Sequence, residues 1–259
     1  GTHSLLLVIP ALNEERCIGT VVRRAREVLR GADVLVIDDG STDGTRREAE
    51  KAGAIVVSHP FNLGIGGAVQ TGLKFAQRAG YDFVMRIDAD GQHDPAKLEE
   101  MLSIVRSGRA DVAIGSRFLA ESLDMKISPV RRIGIELFRW EVSVITGRRV
   151  TDTTSGMIVL NRRAIGVLAV HMPQDYPEVE MRIILHVAGL RTEEVAVRMS
   201  ERMAGVSSIG SWNSFYYAVK VSIAVVLTAI KESSKLRILA DTVGSSRPLP
   251  SISPVVDPG

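Results

Sequence analysis

The first half of the chain switches repeatedly between two periodicities, and this constrains the fold more than any single residue does. Short β-rich runs, "LLLVI" (5–9), "VLVID" (34–38), "AIVVS" (54–58), "FVMRI" (83–87) and "DVAIG" (111–115), alternate with helical patterns over about 15–29, 43–52, 65–79 and 95–107. The runs are almost continuously apolar, as strands buried on both faces must be. Such strands alternating with helices build a mostly parallel sheet covered by helices on both faces. The expected class is α/β. In these sheets, ligands bind beyond the carboxyl ends of the strands. "IPALNEE" (9–15), "DDGSTDG" (38–44), "HPFNLGIGG" (59–67) and "DADGQHD" (88–94) all fall at such ends, so four polar loops converge on one rim.

Past Gly115 the pattern loosens. Residues 116–132 read as a long loop and about 131–146 as a helix; "TDTTSGMIVL" (151–160) reads as a loop then a strand. A helix is expected over 178–189, an alternating strand over 191–199, and a further helix from Ser211 to about Ala240. The expected division is a domain over 1–210, an amphipathic helix over 211–240, and a Pro-, Ser- and Gly-rich disordered tail over 241–259. A length of 259 residues suits one large α/β domain. The net charge of +2 is too small to imply nucleic acid, and fits an anionic substrate or a membrane surface. Cys17 is the sole cysteine, and no N-terminal stretch has the order of a signal peptide; both fit a reducing, cytoplasmic setting.

Asp88 and Asp90 stand one residue apart on a chain leaving a strand. Carboxylates so placed can both reach one hard cation. Mg²⁺ or Mn²⁺ takes a few such oxygens and completes its octahedron with diphosphate oxygens and water. Asp94, just before Pro95, instead suits a helix cap, and Asp43 suits a cap after "GST". "GIGG" (64–67) lacks the third glycine of a dinucleotide fingerprint, because Val69 holds that place; glycines there let the helix start approach the sheet or a donor. His93 reads equally as a metal neighbour or a hydrogen-bonded structural group, and His59, His171 and His186 lack ligand spacing.

Together, "VIPALNEE", "VIDDGSTDGT", "NLGIGGAVQTGL", "RIDADGQHDP" and "GSRF" resemble, in order and spacing, the family 2 glycosyltransferases of GT-A fold. "DTTSG" (152–156), "EVE" (178–180) and "ERMAGVSSI" (201–209) resemble the second-half motifs of the dolichyl- or polyprenyl-phosphate sugar synthase branch. The resemblance implies an inverting, metal-dependent transferase that moves a sugar from GDP-mannose or a UDP-hexose to a polyprenyl phosphate. The alternative is the same fold with a saccharide or other hydroxyl acceptor. It implies nucleotide contacts at Pro10, Ala11, Asn13, Glu14, Asp38, Asp39, Ser41, Asp88 and Ala89, and metal contacts at Asp88, Asp90 and Gln92. It also implies acceptor-phosphate contacts at Arg117, Arg131, Arg132 and Arg202, with Asp90, Arg117, Arg131 and Glu180 carrying the chemistry. Read without it, Glu178 and Glu180 are equally ordinary helix-face acids, and Arg202 equally a surface ion pair.

The most apolar stretch, 215–231, has an uncharged core of ten residues, 221–230. As a helix that is about 15 Å, half of a bilayer's hydrocarbon core. Trp212, Tyr216, Tyr217 and the flanking Lys220, Lys231, Lys235 and Arg237 suit a membrane interface, or a face packed on this domain or in a homo-oligomer. The expected setting is peripheral, at the inner face of a membrane or on a membrane-protein partner.

Overall fold

The computed structural model describes residues 4–119, 129–174 and 176–198, with the backbone alone for 129–135. The expected helix over 211–240, the tail and Arg202 lie outside the described residues. In chain order the elements are β1 (Leu5–Ala11), α1 (Ile18–Val28), β2 (Ala32–Asp38), α2 (Thr45–Lys51), β3 (Ile55–Ser58), α3 (Gly64–Ala79) and β4 (Phe83–Arg86). There follow α4 (Ala96–Arg106), β5 (Val112–Ser116), α5 (Pro129–Thr146), β6 (Ile158–Asn161), α6 (Arg162–His171), α7 (Pro177–Val187) and β7 (Thr192–Ala196).

The strands form one sheet in the order β3-β2-β1-β4-β6-β5-β7. All pairings are parallel except those of β6, which runs antiparallel to both β4 and β5. Alternate side chains feed two cores. Leu7, Ile9, Val34 and Val36 pack with α1 and α4 on one face; Leu6, Val8, Leu35 and Ile37 pack with α3, α6 and α7 on the other. Burial on both faces explains the unbroken apolar runs. A smaller cluster, including Phe138, Val142, Val179 and Ile183, seats α5 on α7. Among the described residues, no helix is long and apolar enough to cross a membrane.

The sequence pattern assigns no element between Asn161 and Pro177, yet α6 lies there. Its cap is Asn161, whose Oδ1 accepts from the Ala164 amide at 3.0 Å. Two glycines of α3 admit close neighbours. A Cβ on Gly66 would meet the Pro173 carbonyl oxygen at 2.1 Å, so this glycine admits the α6–α7 connection, while Gly72 admits Val8 of the sheet at 2.5 Å. The N-caps of α4 and α2 are Pro95 and Gly44, neither with a side-chain cap bond; the expected caps sit one residue earlier, where Asp94 accepts from the Ala96 amide at 3.2 Å and Asp43 from the Thr45 amide at 2.9 Å.

Gly66→Ala adds helix propensity but drives a methyl into a backbone carbonyl, which cannot rotate away as a side chain would. Overpacking of this kind costs about 1–3 kcal/mol. The variant should melt earlier in urea with an unchanged dependence on denaturant.

Candidate active site

The carboxyl ends of β1, β2, β4 and β5 share one rim. Because β6 runs the other way, the loop entering it, residues 151–157, arrives at the same rim. Two of the rim loops are stitched together by main-chain donors. Asn13, at φ 54°, donates its amide to Ser41 Oγ at 2.9 Å, and its Oδ1 accepts from the Thr42 amide at 2.9 Å. Asparagine tolerates that left-handed conformation better than most residues. The Glu14 amide donates to Thr45 Oγ1 at 2.8 Å, and Glu15 accepts from the Gly44 amide at 2.9 Å. Pro10 and Ala11 end β1 beside Ile37 and Asp38, and the Ala11 carbonyl accepts from the Asp39 amide at 2.9 Å.

Asp38 and Asp39 are both buried. Asp38 accepts from the Ser41 amide and from Ser58 Oγ, each at 3.1 Å. Asp39 accepts from the Leu63 and Gly64 amides, both at 2.9 Å, and faces His59 Nδ1 at 2.7 Å. It therefore anchors the start of α3, with most of its acceptor capacity used inside the protein. His59, given no role by its spacing, is the side chain that joins Asp39 to Thr71 Oγ1 of α3, 2.9 Å away.

The third loop carries the paired acids. Asp90 is buried and its Oδ1 accepts from the Gln92 amide at 3.1 Å; Ala89 is buried between the two acids. The Asp88 amide donates to His93 Nδ1 at 3.2 Å, which puts the imidazole proton on Nε2. Burial pushes the His93 pKa down, so the ring is a neutral structural support. Asp88 keeps a side chain 35% exposed, and its Oδ1 accepts from Arg86 Nη2 at 3.1 Å. Its packed surroundings favour the neutral acid, but the Arg86 guanidinium prevails and holds the carboxyl below its usual range. Among the described residues, no three acid, histidine or cysteine side chains converge to cage an ion. Asp88 and Asp90, with the side-chain carbonyl of Gln92, thus supply a few hard oxygen donors. That set fits Mg²⁺ or Mn²⁺ sharing its shell with a diphosphate and water, and does not fit a closed structural site.

The fourth group surrounds Arg117. Its Nε and Nη2 grip the fully buried Asp152 at 2.7 and 2.8 Å, a two-bond fork, and Nη2 also reaches Thr154 Oγ1. Beneath it, Arg182 pairs with Glu194 at 2.8 Å, and Glu194 accepts from the Thr151 amide and hydroxyl at 2.9 and 2.6 Å. Arg182 also donates to the Asp152 carbonyl. At the loop's far end a Cβ on Gly156 would lie 2.4 Å from Asp88 Oδ2, so a side chain there would push the Asp88 carboxylate from its present place.

The structure thus gathers Pro10, Ala11, Asn13, Glu14, Asp38, Asp39, Ser41, Asp88, Ala89, Asp90, Gln92 and Arg117 at one rim. Glu180 lies in the first turn of α7, but Glu178 of that turn is the acid bonded to Arg86, at 3.1 Å. Arg131 and Arg132 fall in the first turn of α5, and their side chains lie outside the described residues, as does Arg202. Sequence reasoning misses Arg86, Asp152, Arg182 and Glu194 as members of the site. Arg86 had a signal: a charge inside the apolar run "FVMRI" must find a buried partner.

A mostly parallel sheet, covered on both faces and presenting acidic strand-end loops at one rim, is the GT-A architecture of sugar-nucleotide-dependent transferases. Residues 6–167 match the family described as glycosyl transferase family 2, and the chain belongs to that family. An undecaprenyl-phosphate mannosyltransferase of Micrococcus luteus is 32% identical over 217 residues, covering 79% of this chain and 87% of the relative. A UDP-N-acetylglucosamine–dolichyl-phosphate N-acetylglucosaminyltransferase of Methanococcus voltae is 30% identical over 183 residues, covering 64% and 72%. The likeness therefore extends to the polyprenyl-phosphate sugar synthase branch of the family. In fold, the chain is similar to the glucosyl-3-phosphoglycerate synthase of Mycobacterium tuberculosis solved with Mn²⁺ and UDP-glucose. That match has a TM-score of 0.66 and 20% identity, over 88% of this chain and 79% of that one.

Arg117 and the packed loop hold the Asp152 carboxyl below its usual range even though burial alone would raise it. A depressed carboxyl contributes stability at pH values above its unfolded pKa, and loses that contribution as pH falls below about 4. Asp152→Ala should cost about 3–5 kcal/mol at neutral pH, the usual penalty for stranding one member of a buried pair. Denaturant melts between pH 7 and pH 3 should show a shallower acid decline in the variant than in the parent.

Proposed function

We propose that this glycosyltransferase moves a sugar from a nucleoside-diphosphate donor, GDP-mannose or a UDP-hexose, to a polyprenyl phosphate. The observation that carries this reading is the meeting, at one rim, of the Asp88–Gln92 acids with the Arg117 fork on its Asp152 anchor. The acids serve the donor diphosphate through a shared Mg²⁺ or Mn²⁺, and the fork serves a phosphate. The names of the Micrococcus and Methanococcus relatives, both acting on polyprenyl phosphates, support the acceptor.

The acceptor decides what the protein must supply. A hydroxyl needs a base to take its proton, whereas a phosphate monoester is already an anion at neutral pH. An acceptor phosphate oxygen attacks the anomeric carbon, the bond from that carbon to the donor diphosphate breaks, and the nucleoside diphosphate departs with the electron pair. One displacement inverts the configuration. A bound divalent ion acts as a Lewis acid, offsetting charge on the departing diphosphate. Asn13, Glu14 and Ser41 hold the nucleotide with the buried floor of Asp38 and Asp39, and Arg117 orients the acceptor phosphate, joined by Arg131, Arg132 and Arg202. Arg117 is prepared for this because Asp152 fixes its plane and leaves it charged. The lipid acceptor puts the enzyme at the cytoplasmic face of a membrane, with residues 211–240 as the contacting segment.

Purified protein given labelled GDP-mannose, UDP-glucose or UDP-GlcNAc, a divalent ion and a polyprenyl phosphate should place label in the lipid phase with one donor. EDTA should abolish the transfer, and Asp90→Ala should slow it by about 100-fold or more. Label appearing in a water-soluble glycoside, with none in lipid, would move the acceptor to a hydroxyl compound.

A further inference from the structure

Arg86 is at odds with its surroundings. It sits in register opposite Val8 of β1 and Ile158 of β6, in the middle of the sheet, and is 2% exposed. Its Nη2 alone makes hydrogen bonds, to Asp88 Oδ1 and Glu178 Oε1, both at 3.1 Å. Among the described residues, its buried Nε and Nη1 have no hydrogen-bond partner. A buried guanidinium with unsatisfied donors is a poor source of stability, and an apolar side chain of similar volume generally serves a core better. Its location accounts for it. Asp88 lies between this guanidinium and the Gly156 backbone, where a Cβ would come within 2.4 Å of the carboxylate. Glu178 reaches the same nitrogen from α7, so one cation gathers acids from two elements.

Building on the metal-binding role proposed for Asp88 and Asp90, we propose that Arg86 is a resident counter-cation of the acidic site. Together with Glu178 it positions Asp88 and holds down the affinity of the site for a bare divalent ion, so that the ion enters with the nucleoside diphosphate rather than ahead of it. The reasoning is electrostatic. Asp88, Asp90 and Glu178 would together attract a bare ion strongly. Arg86 offsets one of those charges, takes one oxygen of Asp88, and repels a second cation at short range. A diphosphate brings oxygens and negative charge of its own and restores what Arg86 removes. Arg86 is thus a positioning residue that couples ion and nucleotide.

The test is a Mn²⁺ titration of the full chain, following free ion by electron paramagnetic resonance, without nucleotide and then with UDP or GDP. Arg86→Met should bind bare Mn²⁺ roughly tenfold more tightly than the parent, and the gain on adding nucleoside diphosphate should shrink by a similar factor. Arg86→Lys, which keeps the charge, should stay close to the parent. A cooperatively folded Arg86→Met with bare-ion affinity equal to or weaker than the parent overturns the proposal. Should Glu178, left without its partner, prevent that variant from folding, the comparison becomes Arg86→Met/Glu178→Gln against Glu178→Gln. The same tightening is expected there, and equal affinities overturn the proposal. A parent protein that binds no Mn²⁺ even with nucleotide present removes the metal reading itself, and this proposal with it; binding that is unaffected by Arg86 removes this proposal alone.

Discussion

The reversed strand β6 is the constraint on which the site depends. In an all-parallel sheet, every segment entering a strand lies on the edge opposite the ligand rim. Placing β6 antiparallel between β4 and β5 brings its entering loop to the rim where those strands end, with Ile158 in register with both Arg86 and Ile114. Asp152 can then meet Arg117, and Gly156 can close on Asp88. Neither contact would exist if the sheet continued in one direction.

The two edges of the sheet use charge differently. At the edge away from the rim, Asp111 accepts from Asn161 Nδ2 and the Arg191 amide, both at 2.8 Å, and so ties the start of β5 to the end of β6 and the start of β7. Its ionic partners Arg163 and Arg191 are at least partly exposed, so solvent eases the cost. At the rim the pairs Arg117–Asp152 and Arg182–Glu194 are withdrawn from water, where desolvation rivals attraction. Ion pairs of that kind make poor general stabilisers and good fixtures for side chains that must not turn. Their concentration under the 151–157 loop marks where the fold gives up stability for geometry.

Much of this was legible in the residues. Continuous apolar runs between helical patterns announced the covered sheet, and the polar loops after those runs announced the rim. Asp43 and Asp94 were legible as acceptors for amides at helix starts, one residue ahead of the N-caps Gly44 and Pro95, because such contacts are local. What could not be read depends on pairing over long separations. The direction of β6 is set by which strands it lies between, and nothing in "MIVL" encodes that. α6 was hidden because an apolar ten-residue segment reads as strand or helix alike until it is packed. His59 carries no spacing signal, since its partners Asp39 and Thr71 belong to a loop and a helix on either side. Asp152 stood in a noticed motif, but its partner Arg117 is 35 residues away. The opening glycines of α3 fitted an approach to the sheet or to a donor, and the contact of the Pro173 carbonyl with Gly66 is visible only in the folded chain.

Under the nucleotide-binding role proposed for residues 13–15 and 41–45, the stitching between them has a consequence for how the enzyme would choose its donor. Most of those bonds use main-chain amides as donors and leave little chain to be ordered when a nucleotide arrives. A surface so prepared cannot reject a wrong base by failing to fold around it. Selection must act through fit, after encounter, so competing nucleotides should arrive at similar rates and differ in how long they stay.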